Sequence, residues 1–397
     1  VAVPNGKVEG SMIKLGLGVL CAMALVGCKV SFGETDDGTG GAAGANTGGA
    51  VGNTGGNGSV GNTGGSGNGT GGSGTGGSAT GGNGSGGAST GGAAGAGGTP
   101  TTGVCAPGAC AASDLAVGLY HPERVVTDSS KVFFTDAKAG GRLLSVEKSG
   151  ANVATLLEAS LNVTALAEEG DTLYVADYNQ VYGVPKSGGA PQPVTQSIKV
   201  TDIVPAEGGL WLVNYDGLDH YHFAKQKVDA HRSEDFRFAL LADADLYLYQ
   251  TYSTSSPPLV QRMPATGGTL APLASGPTGG GYDPRAYLTV DGTSLFYFFH
   301  SERTVLHAMP KTGGSSVELA TLPQGQVLDA VSALGGYVYF LAWDADYSKT
   351  TLNRVAAGGG SVDELFETDG ECSHLALDDG FAYVTNRDLG KVHKVQR

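Results

Sequence analysis

The feature that most constrains this chain is a phrase that recurs along it. The clearest copy, residues 295–319, reads as an apolar strand, a polar turn, an alternating strand, a Gly-Gly turn and a short strand. The copies begin near Val132, Leu173, Leu210, Leu246, Leu295, Val338 and Ala382, a mean step of about 42 residues. A period of about 40–50 residues with several strands per unit is typical of a β-propeller. The sequence therefore predicts an all-β, seven-bladed propeller.

Each repeat resolves into four strands, as the second copy illustrates. We expect strands at residues 163–167, 172–176, 180–184 and 192–196, with turns at residues 168–171 and 186–189. Pairs such as Gly208-Gly209 tolerate positive φ and suit two-residue hairpins elsewhere in the chain. The copy near Leu210 lacks the second glycine pair, so its last turn is predicted to be longer or irregular.

The two ends of the repeat region are predicted to complete one blade together. The copy near Ala382 supplies only three strands, and residues 114–120 read as an outer strand without a blade of their own. Pairing residues 114–120 with residues 391–395 would close the ring and remove exposed edges. The alternative is a six-bladed ring in which the copy near Leu210 is an insertion.

The region before the repeats is predicted to be a targeting segment and a tether. Residues 15–26 form an apolar run of signal-peptide length, and Leu25-Val26-Gly27-Cys28 looks like a bacterial lipobox. The prediction is a signal peptide at 1–27, a lipidated N-terminus at 28–37 starting with Cys28, a disordered linker at 38–104 and the propeller at 105–397. Lys29 after the lipobox favours an outer-membrane lipoprotein, periplasmic or surface-facing. An ordinary cleaved signal is the alternative.

Charge, cysteine and histidine positions restrict the possible binding partners, disulfide pairings and metal sites. The net charge of −14 argues against nucleic acid. Cys105 and Cys110 flank a Pro-Gly turn and form the preferred disulfide, while a bridge from Cys372 to either of them stays open. His220 and His222 share one face of a strand but lack a third ligand, so no metal and no cofactor is expected.

Short phrases within the repeats resemble known propellers. Residues 133–136 (Phe-Phe-Thr-Asp) and 383–386 (Tyr-Val-Thr-Asn) are similar to the Tyr-Trp-Thr-Asp phrase of YWTD and TolB-like bacterial propellers. Residues 184–189 and 309–314 resemble a group of uncharacterised bacterial propeller lipoproteins. The resemblance implies the fold and says little about activity, because these residues serve blade packing.

Polar residues at the start of the repeats are the candidate binding site. Propeller sites usually lie at one mouth of the central channel, where the inner strands begin. The candidates there are His121, Glu123, Arg124, Lys199, Asp235, Arg237, Arg285, Asp329, Glu371 and His374. Their mixed charges select neither a phosphate nor a polycation.

No catalytic motif appears in the repeat region, so the sequence favours a binding or scaffold module. We expect a monomer, attached to the membrane by its lipid, that binds an unidentified protein or glycan. The alternative is a hydrolase or lyase using Glu123, Asp235, Asp329, His121 or His374 at the channel mouth.

Overall fold

The protein forms a closed ring of seven β-sheets. The structure is a computed structural model that describes residues 105–137, 140–158, 163–177, 179–196, 199–251, 257–278 and 287–397. Within these ranges the strands assemble into seven antiparallel sheets of four strands each. The predicted seven-bladed propeller is confirmed, and the six-bladed alternative is wrong. The predictions for residues 1–104, including lipidation at Cys28, lie outside the described residues.

Six blades follow the chain from their inner to their outer strand. Blade 1 contains β2 (Pro122–Thr127), β3 (Lys131–Asp136), β4 (Arg142–Glu147) and β5 (Ala154–Glu158), and blade 2 contains β6 (Ala165–Glu169), β7 (Thr172–Ala176), β8 (Gln180–Pro185) and β9 (Gln192–Gln196). Blade 3 contains β10 (Val200–Ala206), β11 (Gly209–Asn214), β12 (Gly217–His222) and β13 (Lys227–Arg232), and blade 4 contains β14 (Phe236–Ala242), β15 (Asp245–Gln250), β16 (Leu259–Pro264) and β17 (Ala271–Ser275). Blade 5 contains β18 (Leu288–Val290), β19 (Ser294–Phe299), β20 (Glu302–Pro310) and β21 (Val317–Thr321), and blade 6 contains β22 (Gln326–Leu334), β23 (Tyr337–Asp344), β24 (Lys349–Ala356) and β25 (Asp363–Asp369).

Blade 7 is assembled from both ends of the described chain, as predicted. It contains β26 (Cys372–Leu377), β27 (Phe381–Asn386), β28 (Lys391–Gln396) and, as outer strand, β1 (Ala112–Ala116). β1 runs antiparallel to β28, with Ala112 opposite Val395. The Lys391 Nζ lies 2.8 Å from Asp114 Oδ2 across this pair. The outer strand begins two residues earlier than expected and ends at Ala116.

Blade 3 is complete but irregular at its last turn. Its β12 and β13 are joined by a 3-10 turn, Phe223–Lys225, followed by Gln226 with a φ of 50°. A residue other than glycine tolerates this left-handed conformation only at some cost. The expectation of an irregular turn at this point is confirmed.

The core consists of apolar layers between neighbouring blades. Every residue of β11 is buried, because blades cover both faces of a second strand. Between blades 7 and 1, Phe134 and Tyr383 are fully buried in one cluster. Burying one such aromatic side chain contributes about 1.5–3 kcal/mol, so the apolar layers between the blades stabilise the ring.

A disulfide lies where the described chain begins. Cys105 and Cys110 are bonded, with their Cα atoms 5.2 Å apart. Cys372 is a buried free thiol on β26, and burial raises its pKa. Within the described ranges, no helix has the length and apolar character needed to cross a membrane.

Candidate functional site

The inner strands of five blades begin with a β-bulge at one end of the ring. The bulges fall in β2, β10, β14, β22 and β26, and the residues they leave out of the ladder include Glu123, Thr201, Arg237, Asp329 and Ser373. A bulge bends the strand and turns its extra residue away from the regular pleat. Four of the ten predicted candidates, Glu123, Arg124, Arg237 and Asp329, therefore lie at these bulges.

Side chains from other blades bind the backbone carbonyls at these bulges. The Thr385 hydroxyl donates to the Glu123 carbonyl at 2.6 Å, from blade 7 to blade 1. The Arg124 Nη2 donates to the Thr201 carbonyl at 3.0 Å, from blade 1 to blade 3. Because blade 2 lies between these two blades in the ring, this contact links the starts of β2 and β10 across blade 2.

Asp202 follows Thr201 and is buried beside this arginine. Its carboxylate accepts from the Ile203 amide at 3.1 Å and the Ala239 amide at 3.2 Å. Burial raises the pKa of Asp202 to about 6, although the positive charge of Arg124 opposes the shift. This buried carboxyl group on β10 thus changes charge near pH 6.

An aromatic and cationic cluster lies between blades 3 and 4. Tyr215, in the turn after β11, is 47% exposed. The Lys199 Nζ lies 5.3 Å from the centre of its ring and the Arg237 guanidinium carbon 5.2 Å from it. Arg237 also pairs with Asp235 Oδ1 at 2.7 Å. Burial raises the pKa of Asp235, and Arg237 opposes this. We call Lys199, Tyr215, Asp235 and Arg237 the Tyr215 cluster.

A second charged group lies between blades 5 and 6. The Arg303 Nη2 donates to the fully buried Asp329 at 3.1 Å, and its Nε donates to the Leu328 carbonyl at 2.7 Å. The same guanidinium lies 5.3 Å from the centre of the Trp343 ring. Asp329 is thereby held by an arginine from the neighbouring blade.

The remaining candidates contact residues outside the predicted set. His121 stacks on Tyr120 with ring centres 4.3 Å apart, and its amide donates to Asp136. The Glu371 carboxylate lies 3.8 Å from Arg387 Nη1. The His374 Nδ1 lies 3.1 Å from the Ser373 hydroxyl. Arg285 lies outside the described residues.

The structure brings together three members of the predicted set: Asp235 pairs with Arg237, and Lys199 and Arg237 lie against the same Tyr215 ring. The hydrolase or lyase alternative needs two of its five candidate groups within hydrogen-bond reach of each other, and it stays a prediction.

Sequence reasoning missed Asp202, Tyr215, Arg303 and Trp343. Tyr215 and Arg303 lie in or beside the turn between the second and third strands. In an antiparallel blade this turn returns to the end where the inner strand begins. That topological rule could have found both.

Two histidines of blade 3 contact acids on the neighbouring strand. The His220 Nδ1 lies 2.8 Å from Asp229 Oδ1, and the His231 Nδ1 lies 2.6 Å from Asp219 Oδ1. The Lys225 Nζ lies 2.6 Å from the other oxygen of Asp229. Across the described parts of the chain, no three His, Cys, Asp or Glu residues are arranged to hold a metal ion.

Comparison with known proteins gives structural likeness only. No protein family and no curated protein matches the chain. Among solved structures, it is similar to the extracellular domain of a one-component system protein of B. thetaiotaomicron, with 11% identity and a TM-score of 0.55. That match covers 72% of this chain and 40% of the other, so this chain spans about two fifths of its length.

Two further structures show the same degree of sequence divergence. A chain of the mitotic checkpoint complex is 13% identical with a TM-score of 0.54, covering 74% of this chain and 95% of the other. BamB from Moraxella catarrhalis is 15% identical with a TM-score of 0.46, covering 74% of this chain and 95% of its own. Likeness at this level of identity extends to the fold alone, and the chain is a seven-bladed β-propeller.

Proposed function

We propose that this protein is a binding module of the bacterial cell envelope that presents its bulged channel mouth to a protein or glycan ligand. Lipid on Cys28 would hold it to the outer membrane, and a linker over residues 38–104 would set its reach. The acidic net charge of −14 is compatible with such a partner and unfavourable for nucleic acid.

The Tyr215 cluster is the observation that carries the proposal. Tyrosine and arginine supply most of the energy at binding surfaces, because each combines a large apolar area with a polar end. Here a half-exposed Tyr215 lies against the cations of Lys199 and Arg237. A sugar or peptide that stacks on the ring and places a carboxylate near Lys199 would contact both exposed side chains of the cluster, while Arg237 stays paired with Asp235.

The test is a glycan array together with an envelope pull-down, comparing the purified protein with Tyr215→Ala. Loss of an interfacial tyrosine should weaken binding about thirtyfold, equivalent to about 2 kcal/mol. Tyr337→Ala is the control, since Tyr337 is a partly exposed tyrosine at the start of β23, at the end of blade 6 opposite the mouth. Equal binding by the two variants would contradict the assignment of the site. No ligand in either screen would count against a binding module.

A further inference from the structure

A groove separate from the channel mouth runs along the outer strand of blade 5. It consists of two cavities of about 600 and 300 Å³ that share Glu318 and Leu319 as lining residues. The larger cavity extends to Gln326 and Asn353, and the smaller one to the turn at Gly358 and Gly359. Blade 6 forms the opposite wall. The groove therefore follows the direction of β21.

The shape of the groove fits an extended polypeptide. β21 is the last strand of its sheet, so its outer edge carries no partner strand among the described residues. Five residues of strand extend about 17 Å, which is the length over which a peptide could lie beside it. The floor includes the apolar Leu319 and Leu322, and the rim carries Val317 and Val362, which are 60% and 39% exposed.

The negative charge of the groove favours a peptide with basic side chains. The two cavities are lined by Glu318 and Glu364 and by no lysine, arginine or histidine. His307 lies opposite Glu318 in the strand pairing, but its Nε2 lies 3.6 Å from Glu302. A cationic ligand would thus meet two carboxylates without a competing positive charge on the walls. The net charge of −14 adds attraction at longer range.

We propose that the groove between blades 5 and 6 binds an extended peptide segment of a partner protein in which lysine or arginine alternates with apolar residues. The basic side chains pair with Glu318 and Glu364. The apolar side chains cover Leu319 and the exposed valines at the rim. Extended peptides commonly bind beside a sheet edge, with side-chain pockets giving the specificity. This site is independent of the mouth site proposed above.

The probe is a fluorescein-labelled peptide of roughly eight alternating lysine and valine residues, measured by fluorescence anisotropy against the full-length protein. We expect Glu318→Gln/Glu364→Gln to weaken binding about tenfold, the effect of removing two partly exposed ion pairs. The matched control, Asp171→Asn/Glu207→Gln, removes the same charge from exposed turns and should leave the affinity unchanged.

Two further measurements separate the groove from general attraction by an acidic protein. Peptide should slow amide hydrogen exchange in residues 317–321, and a glutamate–valine peptide should not bind. Equal loss of affinity in both double variants, or no protection of residues 317–321, would overturn the proposal. Far-UV circular dichroism confirms that both variants are folded, and binding by Tyr215→Ala should match the wild type.

Discussion

Replacing Asp202 by asparagine should change how the stability of the protein depends on pH. Asp202 is 6% exposed, and burial raises the pKa of its carboxyl group from 3.8 to about 6. A folded-state pKa above the unfolded value means that the folded protein binds the proton more tightly. The folded state therefore loses stability as pH rises from about 4 to about 6, and the full cost remains at higher pH. The difference between the folded and unfolded pKa values, at 1.36 kcal/mol per pH unit, lowers the free energy of unfolding by about 3 kcal/mol.

The asparagine variant lacks this dependence because its side chain does not titrate. The two carboxylate oxygens of Asp202 accept from different amides, those of Ile203 and Ala239. Asparagine has one such oxygen. In Asp202→Asn one of the two backbone amides therefore faces the side-chain NH₂ group and loses its hydrogen bond, at a cost of about 1 kcal/mol. The attraction between ionised Asp202 and Arg124 is already contained in the Asp202 pKa of about 6 and adds no separate contribution. The lost hydrogen bond does not vary with pH, so it offsets the two stability curves without changing the slope of either.

The assay is urea unfolding of wild type and Asp202→Asn from about pH 4 to about pH 7.5, followed by tryptophan fluorescence. The difference in the free energy of unfolding should move by about 2.5 kcal/mol in favour of the variant across this range, because the unfolded-state carboxyl is already partly ionised at about pH 4. Asp379→Asn is the control, because the Asp379 side chain is fully exposed. Parallel curves for wild type and Asp202→Asn, within about 0.5 kcal/mol, would refute a buried, ionising Asp202.

Two further predictions concern the closure of the ring. Cys105→Ser/Cys110→Ser removes the disulfide and opens a six-residue loop. The free energy of unfolding, measured in urea, should fall by about 2 kcal/mol. An unchanged free energy of unfolding under oxidising conditions would show that the bond does not restrain the unfolded chain. Gly390→Ala should lower the melting temperature by several degrees. Gly390 has a φ of 60°, and a Cβ at this position would overlap the Leu119 carbonyl. An unchanged melting temperature would contradict this packing.

The strands could be read from the sequence because their signals are local. β7 and β9 match the predicted residues 172–176 and 192–196, since alternating apolar residues and flanking turns mark both ends. The first strand of the same blade was placed at residues 163–167, but it runs from Ala165 to Glu169. Gly170 has a φ of 56° and allows a tight turn of two residues, where four were expected. Polar Glu168 and Glu169 thus continue the strand.

The side-chain partners at the mouth could not be read in the same way. The repeat spacing predicted that Arg237 and Asp329 lie where inner strands begin, because each blade repeats the same backbone. Nothing local indicates that Arg303 from the preceding blade reaches Asp329, or that Arg124 passes blade 2 to reach Thr201. Such contacts depend on long side chains crossing between blades, and repeat spacing carries no information about their direction.

The bulges explain how a repeated fold can carry a site that is not repeated. Bulged residues lie outside the strand ladder, and the inter-blade core is built mainly from second strands such as β11. Substitution at a bulge therefore disturbs neither the ladder nor the core, provided that any buried charge keeps its partner. The bulges of the five inner strands carry glutamate, threonine, arginine, aspartate and serine, while every blade keeps its order of four strands. The mouth can thus acquire the Tyr215 cluster on one side and the Arg303–Asp329 pair on another without loss of the ring, and a ligand should contact these sides unequally.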